Sequence, residues 1–391
     1  MSKPLDSTPA QTSSSAPVAS VTTAPVPRPG ILDIAAYVGG ESKIAGVNRV
    51  IRLASNEGAL GPSPAAIAAY KAAAGEIHRY PDGNAAELRR VLAETQGLEA
   101  ERIVCGSGSD ELIALLVKAY AGPGDEVLYS QHGFMMYPIA ARTVGATPVV
   151  APETEMRTDV DALLAAVTPA TRMVFVANPN NPTGSYLPAE EMERLHRGLP
   201  PHVVLVIDAA YAEYVEAEDY QAGDALVRAG ENVVMMRTFS KIHALGGLRL
   251  GWAYASAGIA DVLNRVRGPF NVSSAAQIAG IATLRDTDFL ARSRAHNTEW
   301  RPWTATALAR LGLHVYPSVG NFLLVRFPED SVRNADAAWA HLKSRGILTR
   351  KMGGYGLGHC LRITIGTGED MHLVAEALAG FLAEPQTDAP A

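Results

Sequence analysis

At 391 residues, 48% of them hydrophobic and 19% charged, the chain is long enough to bury the cores of two packed domains. A formal net charge of -6 excludes a broad basic face for nucleic acid or an anionic membrane, so any anion must be held by a local pocket of arginines, which argues for a small-molecule ligand. Cys105 and Cys360 are far apart and lack metal-ligand spacing, which argues against a disulfide framework or a zinc site and fits a reducing compartment.

Residues 1–30, rich in Ser, Thr, Pro and Ala, carry no apolar run of the kind a secretory signal needs and read as a disordered extension. Residues 385–391 read as a similar tail. No apolar stretch approaches the roughly 20 residues a membrane helix requires, so the cytoplasm is the expected location. Residues 31–70 read as an arm that contributes to a small lobe.

From about residue 102 short apolar runs recur: RIVCG, EVLYS, TPVVAP, TRMVFVANP, VVLVIDAAY, NVVMMRTFS and GWAYAS. Most are separated by helix-like segments such as DELIALLVKAYAG and PAEEMERLHRGL. Strands apolar on both faces that alternate with helices predict an α/β fold with a mainly parallel sheet covered on both sides. Residues 71–290 form this large domain, and the different texture of residues 291–384, with HVYPSVGNFLLVRF and HCLRITIGT as strands, reads as a smaller α+β domain. Ligands of such sheets collect beyond the carboxyl ends of the strands, which directs attention to residues 106–111, 178–184, 208–211 and 238–241.

Each of these stretches admits a modest reading beside a functional one. In CGSGSDELIALLVKAY, Ser109 and Asp110 open a helix where free amides can hold a phosphate, or they simply cap it. NPNNPTG is a rigid loop that presents the Asn181 side-chain amide. Asp208 ends an apolar strand, where a carboxylate is costly unless a cation or hydrogen-bond donors meet it, and a structural ion pair would also serve. Tyr211 follows three residues later. Lys241, in RTFSKIHALGGLRLGW, reads as a surface lysine when taken alone. Its neighbours change that: Thr238 and Ser240 offer hydroxyls, Arg249 a planar anion clamp, and Gly246 and Gly247 close backbone approach. A lysine among fixed cations has a depressed pKa, leaving the free amine a Schiff base needs. An amine, an opposing acid and phosphate donors are the requirements of pyridoxal 5'-phosphate.

SNEGALGPS, RYPDG, GSGSDE, NPNNPTG, DAAY, TFSKIHALGGLRLG, GPFNVS, NFLLVRF and LRITIGT occur in this order over residues 30–383. Together they closely resemble the histidinol-phosphate aminotransferases of the class I/II, fold-type I pyridoxal phosphate family. The resemblance implies a seven-stranded, mainly parallel sheet between helices plus the smaller domain. It implies that Lys241 carries the cofactor aldehyde and acts as general base, that Asp208 faces the pyridine nitrogen, and that Asn181 and Tyr211 serve the ring hydroxyl. Phe134, in QHGFMMY, takes the ring-stacking position. The Ser109 and Asp110 amides, Thr238, Ser240 and Arg249 would hold the phosphate, with Tyr80 reaching across from a second subunit of a homodimer. Arg362, Arg350, Asn56 and Tyr37 would recognise substrate, and histidinol phosphate with 2-oxoglutarate would give imidazole-acetol phosphate and glutamate in histidine biosynthesis. Because arginine forks bind carboxylate and phosphate alike, one pocket can serve both half-reactions.

The chain departs from the family pattern at three places. Ala209 stands where glutamate is usual, Gly58-Ala59 where Asn-Pro is common, and Phe134 where tyrosine is frequent. An aromatic amino-acid aminotransferase and a phosphothreonine decarboxylase of the same fold are the alternative activities.

Overall fold

The computed structural model describes residues 25–35, 43–44, 46, 49–330 and 332–383, so Tyr37, most of the amino-terminal extension and the carboxyl-terminal tail lie outside the described residues. The seven apolar runs form seven strands: β1 (Ile103–Gly106), β2 (Glu126–Ser130), β3 (Thr147–Ala151), β4 (Thr171–Ala177), β5 (Val204–Asp208), β6 (Val233–Thr238) and β7 (Gly251–Ala255). They lie in one sheet in the order β1-β7-β6-β5-β4-β2-β3. Only β7 runs antiparallel to its neighbours; the remaining pairs are parallel.

The central runs are mostly apolar because both of their faces are covered, whereas the edge strand β3 leaves Val150 49% exposed. In β5, Val204 and Val206 pack into the core on one face while Leu205 and Ile207 pack into the core on the other. Topology brings the site-forming ends together. β4, β5 and β6 stop at Ala177, Asp208 and Thr238 on one edge, and β7, because it runs backwards, starts there, with Gly251 opposite both Gly106 and Thr238. The stretch from Thr238 to Gly251 is therefore a loop leaving the sheet and returning to the same edge.

A second, antiparallel sheet is built from β8 (His314–Val315), β9 (Phe322–Arg326), β10 (Arg350–Lys351) and β11 (Cys360–Thr364), in the order β8-β9-β11-β10. It has its own core, where Leu323, Val325, Leu361 and Ile363 meet Ala338, Leu342, Val374 and Leu378 of two helices. Ile51–Arg52 pairs in parallel with Ile347–Leu348, which ties the segment before the large sheet to this lobe. Helix Pro64–Ala73, capped by the Ser63 side chain, packs instead on helix Ser274–Arg285. The register of the small sheet places Arg350 directly opposite Arg362.

Candidate active site

Two adjoining cavities of about 290 and 130 Å³ open at the carboxyl edge of the large sheet and share Phe134, Asn181, Tyr211, Ser240, Lys241 and Arg249. The smaller one is walled by Ser109, Asp110, Thr238 and Asp208. Beyond β1 the chain turns at Gly108, with φ 82° and ψ 164°, into helix Ser109–Tyr120. Only glycine adopts that conformation readily, and a Cβ there would run into the Arg249 guanidinium. Gly108 is itself the N-cap and no side chain caps this helix, so the capping role of Ser109 and Asp110 is not what the structure shows. The first amides of a helix have no intrahelical acceptor and favour an anion. Arg249 adds positive charge: its Nη2 donates to Asp110 Oδ2 at 3.0 Å and its Nη1 to the Gly246 carbonyl at 3.1 Å. Both partners of the Arg249–Asp110 pair are nearly half exposed.

Asp208 is 5% exposed and makes no ion pair among the described residues. Its Oδ2 accepts a hydrogen bond from the Tyr137 hydroxyl at 2.9 Å, whereas Oδ1 is buried without a protein partner among the described residues. Burial pushes the carboxyl up to about 6, against the pull of the Tyr137 hydrogen bond. A buried carboxylate oxygen without a donor is costly, and Asp208 lines the smaller cavity.

Lys241 follows β6 by three residues, and its Nζ donates to the Ser55 carbonyl at 3.0 Å. Its pKa is lowered to about 8, first by burial and then by the Arg362 and Arg249 charges, with Asp110 and Asp208 opposing. The sequence expectation of a depressed amine holds, but desolvation outweighs the neighbouring cations as its cause.

The larger cavity carries the polar network that joins the two lobes. The Asn181 side-chain oxygen accepts from Arg362 Nη1, while Arg362 Nη2 donates to the Ala54 carbonyl at 2.7 Å. Tyr211 hydroxyl accepts from Asn56 Nδ2 at 2.8 Å, and Asn56 is locked in turn by Thr364, whose hydroxyl donates to its Oδ1 at 3.1 Å. Burial pushes the Tyr211 phenol up to about 12, so it stays a proton donor. Arg350 lines the same cavity beside Tyr355.

Of the residues expected from sequence, all those described except Tyr80 line these two cavities. Tyr80 is 83% exposed and stacks on Phe270, with ring centroids 4.8 Å apart. The expected roles of Gly246 and Gly247 require correction. They form a short surface turn where a Cβ on Gly247 would meet nothing within 4 Å and one on Gly246 would come no closer than 3.7 Å to the Ser240 carbonyl. Close approach falls on Gly251, where a Cβ would sit 2.7 Å from the Gly108 carbonyl carbon. Gly58, one of the departures from the family pattern, is required by packing here, since a Cβ would lie 2.9 Å from the Lys241 carbonyl oxygen. Sequence reading missed Ser55, Met135, Tyr137 and Tyr355. Tyr137 alone left a trace: it sits three residues after Phe134, the spacing that puts two side chains on one face of a helical turn.

A carboxylate at the end of one strand and a lysine in the loop just beyond the adjacent parallel strand, beside a helix start suited to an anion, are the arrangement of a transferase site of the α/β class. The chain matches the family model of the class I and II aminotransferases over residues 48–378, and it belongs to that family of enzymes. It is similar to the histidinol-phosphate aminotransferase of Paramagnetospirillum magneticum, 61% identical over 360 residues that cover 92% of this chain and 99% of the relative. That of Rhodospirillum centenum is 61% identical over 358 residues, with the same coverage of both chains. Among solved structures, histidinol-phosphate aminotransferase of Sinorhizobium meliloti in complex with pyridoxal-5'-phosphate superposes with a TM-score of 0.83 at 31% identity, covering 90% of this chain and 96% of that one. Aspartate aminotransferase of Thermus thermophilus, at 23% identity and a TM-score of 0.74 over 85% of this chain and 91% of its own, shares the fold.

Proposed function

We propose that the chain catalyses transamination between L-histidinol phosphate and 2-oxoglutarate, giving imidazole-acetol phosphate and L-glutamate in histidine biosynthesis, with pyridoxal 5'-phosphate as its cofactor. One observation carries the reading: the depressed amine of Lys241 and the open, buried Oδ1 of Asp208 line one cavity. The residues fit the cofactor, because an orphaned buried carboxylate oxygen suits a protonated ring nitrogen and a helix start with an arginine suits a phosphate. The names of the 61% identical relatives support the substrate.

When bound, the cofactor supplies an aldehyde that condenses with amines and a ring that accepts the electron pair left by breaking the substrate Cα–H bond. Lys241 Nζ would take that proton from the substrate Cα and give it up at the carbon that carried the cofactor aldehyde, which a pKa near 8 permits because a share of the amine is unprotonated at neutral pH. Asp208 presents negative charge to the ring nitrogen, Asn181 and Tyr211 present donors to the ring hydroxyl, and Phe134 covers a ring face. The Ser109 and Asp110 amides, Thr238, Ser240 and Arg249 hold the phosphate. Arg362 and Arg350, paired across the small sheet, bind the carboxylate of glutamate and the phosphate of histidinol phosphate in turn, with Asn56 and Tyr37 beside them.

A second copy of this chain completes the site. Ile67, Tyr70, Ile77, Tyr80, Phe270 and Ile278 are exposed on or beside helices Pro64–Ala73 and Ser274–Arg285, an apolar face that a homodimer covers while delivering Tyr80 to the other subunit's phosphate donors. We draw the arm at residues 31–70, the large domain at 71–290 and the small domain at 291–384. Among the described residues no helix is long and apolar enough to cross a membrane, and both cysteines are free; we place the enzyme in the cytoplasm. The test compares kcat/KM of the amine-loaded protein for imidazole-acetol phosphate, phenylpyruvate and 2-oxoglutarate. Preference for phenylpyruvate over imidazole-acetol phosphate would sink the substrate assignment, and a strictly monomeric mass in light scattering would sink the shared site.

A further inference from the structure

Tyr137 is fully buried at the start of helix Met136–Val144. Three rings fix it. It stacks on Phe175 of β4 with centroids 4.5 Å apart and planes 11° from parallel, and it stands edge-on to Phe134 at 5.8 Å and to Tyr129 at 6.3 Å. A ring so clamped offers its hydroxyl in one direction only, and that direction is Asp208 Oδ2, at 2.9 Å. β4 and β5 are neighbours in register, with Phe175 opposite Val206 and Ala177 opposite Asp208, so ring clamp and carboxylate share one rigid piece of sheet.

We propose that Tyr137 is a positioning residue for the reaction: its hydroxyl holds Asp208 Oδ2 so that Oδ1 meets the ring nitrogen of the cofactor as an anion. The inference rests on the cofactor reading above. Every other influence on Asp208 is already in place. Burial and the Asp110 charge favour the neutral carboxyl, and Lys241 and the Ala210 amide favour the ionised form. The nearby phenols of Tyr211 and Tyr220 are held protonated by burial. Among the described residues Tyr137 is the one side chain that donates a hydrogen bond to Asp208, and burial keeps its own pKa well above the usual phenol value, so it remains a donor across the working pH range. Because the same ring touches Phe134, one side chain braces both the acid and the residue that covers the ring face.

Tyr137→Phe keeps the stack on Phe175 and removes only the hydroxyl. In the variant, kcat falls about tenfold, the low end of what a hydrogen bond to a charged group is worth, while KM for both substrates stays within about threefold. The acid limb of kcat/KM moves up by about one pH unit, and cofactor dissociation from the loaded protein becomes about tenfold more favourable. A second readout needs no turnover: in cofactor-free protein labelled with carboxyl-13C aspartate, the resonance assigned by its loss in Asp208→Asn titrates at higher pH in Tyr137→Phe than in wild type. The proposal is overturned if the Asp208 resonance and the acid limb of Tyr137→Phe coincide with those of wild type, including the case in which activity drops through packing alone. Failure of the cofactor reading looks different, because wild-type protein would then neither bind pyridoxal phosphate nor lose turnover in Lys241→Ala.

Discussion

Two arginines twelve residues apart in the stretch 237–252 have opposite fates. Arg237, on β6, is 8% exposed and forms an ion pair with Glu213 at 2.7 Å, with the Trp252 ring 5.7 Å away. Arg249, in the loop beyond the same strand, pairs with Asp110 at 3.0 Å where both side chains are nearly half exposed. The first pair ties β6 to the short turn Ala212–Tyr214 with both side chains only 10% exposed, so little solvent competes for it and it is a fixed part of the fold. The second sits at the cleft in reach of water, so its arginine can exchange a carboxylate partner for a stronger anion at little cost. Lys241 stands between them in sequence, and the comparison locates the boundary between structure and chemistry within a dozen residues.

Lys241→Ala tests the chemical side of that boundary and carries the largest expected effect. Turnover falls by at least about a thousandfold in steady-state assays, within the range attributed to a positioned acid–base group, while the urea midpoint stays near wild type. Arg237→Ala tests the structural side. It leaves Glu213 buried without its cation and destabilises the protein by about 3–5 kcal/mol in urea unfolding, with kcat per folded molecule largely kept. Should Arg237→Ala instead unfold like wild type, the buried pair is not the fixed element described here.

Asp208 sharpens the contrast through pH. Its folded pKa of about 6 lies above the unfolded value, so its contribution to the stability of the cofactor-free protein is complete below about pH 4 and is lost as pH rises through about 6. The loss amounts to about 3 kcal/mol by pH 7, and Asp208→Asn, which cannot ionise, removes that slope from the stability profile. Lys241 behaves oppositely. Its folded pKa of about 8 lies below the unfolded value, so protonating it costs stability, and its modification by an amine-selective acylating reagent accelerates as pH rises with a midpoint near 8. The smallest stability effect belongs to Arg249→Ala, within about 1 kcal/mol for an exposed pair, although cofactor dissociation weakens retention about tenfold or more in the same variant.

How much of this was legible beforehand differs between elements. The seven strands were readable because each is a short, mostly apolar run bounded by turn formers, and the rule that ligands gather at the carboxyl ends singled out Asp208 and Lys241 without any coordinates. Tyr137 was not readable as an Asp208 partner, since QHGFMMY is 71 residues from Asp208 and the contact exists only because β4 and β5 are adjacent. Ser55 and Tyr355 escaped for the same reason: the first meets Lys241 by a backbone carbonyl that any residue type supplies, and the second comes from the small lobe. The glycines show the converse error. Gly246-Gly247 resembled a close-approach motif, yet the crowded backbone is at Gly251, which faces the first residues of a helix that begins 142 residues earlier at Ser109.

By itself the amino-acid sequence determined the α/β class, the strands and the chemical inventory at their ends: an amine, an acid, amide donors and arginines in a fixed order. These follow from local pattern, because hydrophobic periodicity and turn chemistry act over a few residues. Only the tertiary structure decided which arginine is locked and which is available, which oxygen of Asp208 is left open, and that burial sets the Lys241 pKa ahead of the nearby cations. Those outcomes depend on exposure and on contacts between distant segments, quantities that exist only once the sheet has brought the strand ends to one edge.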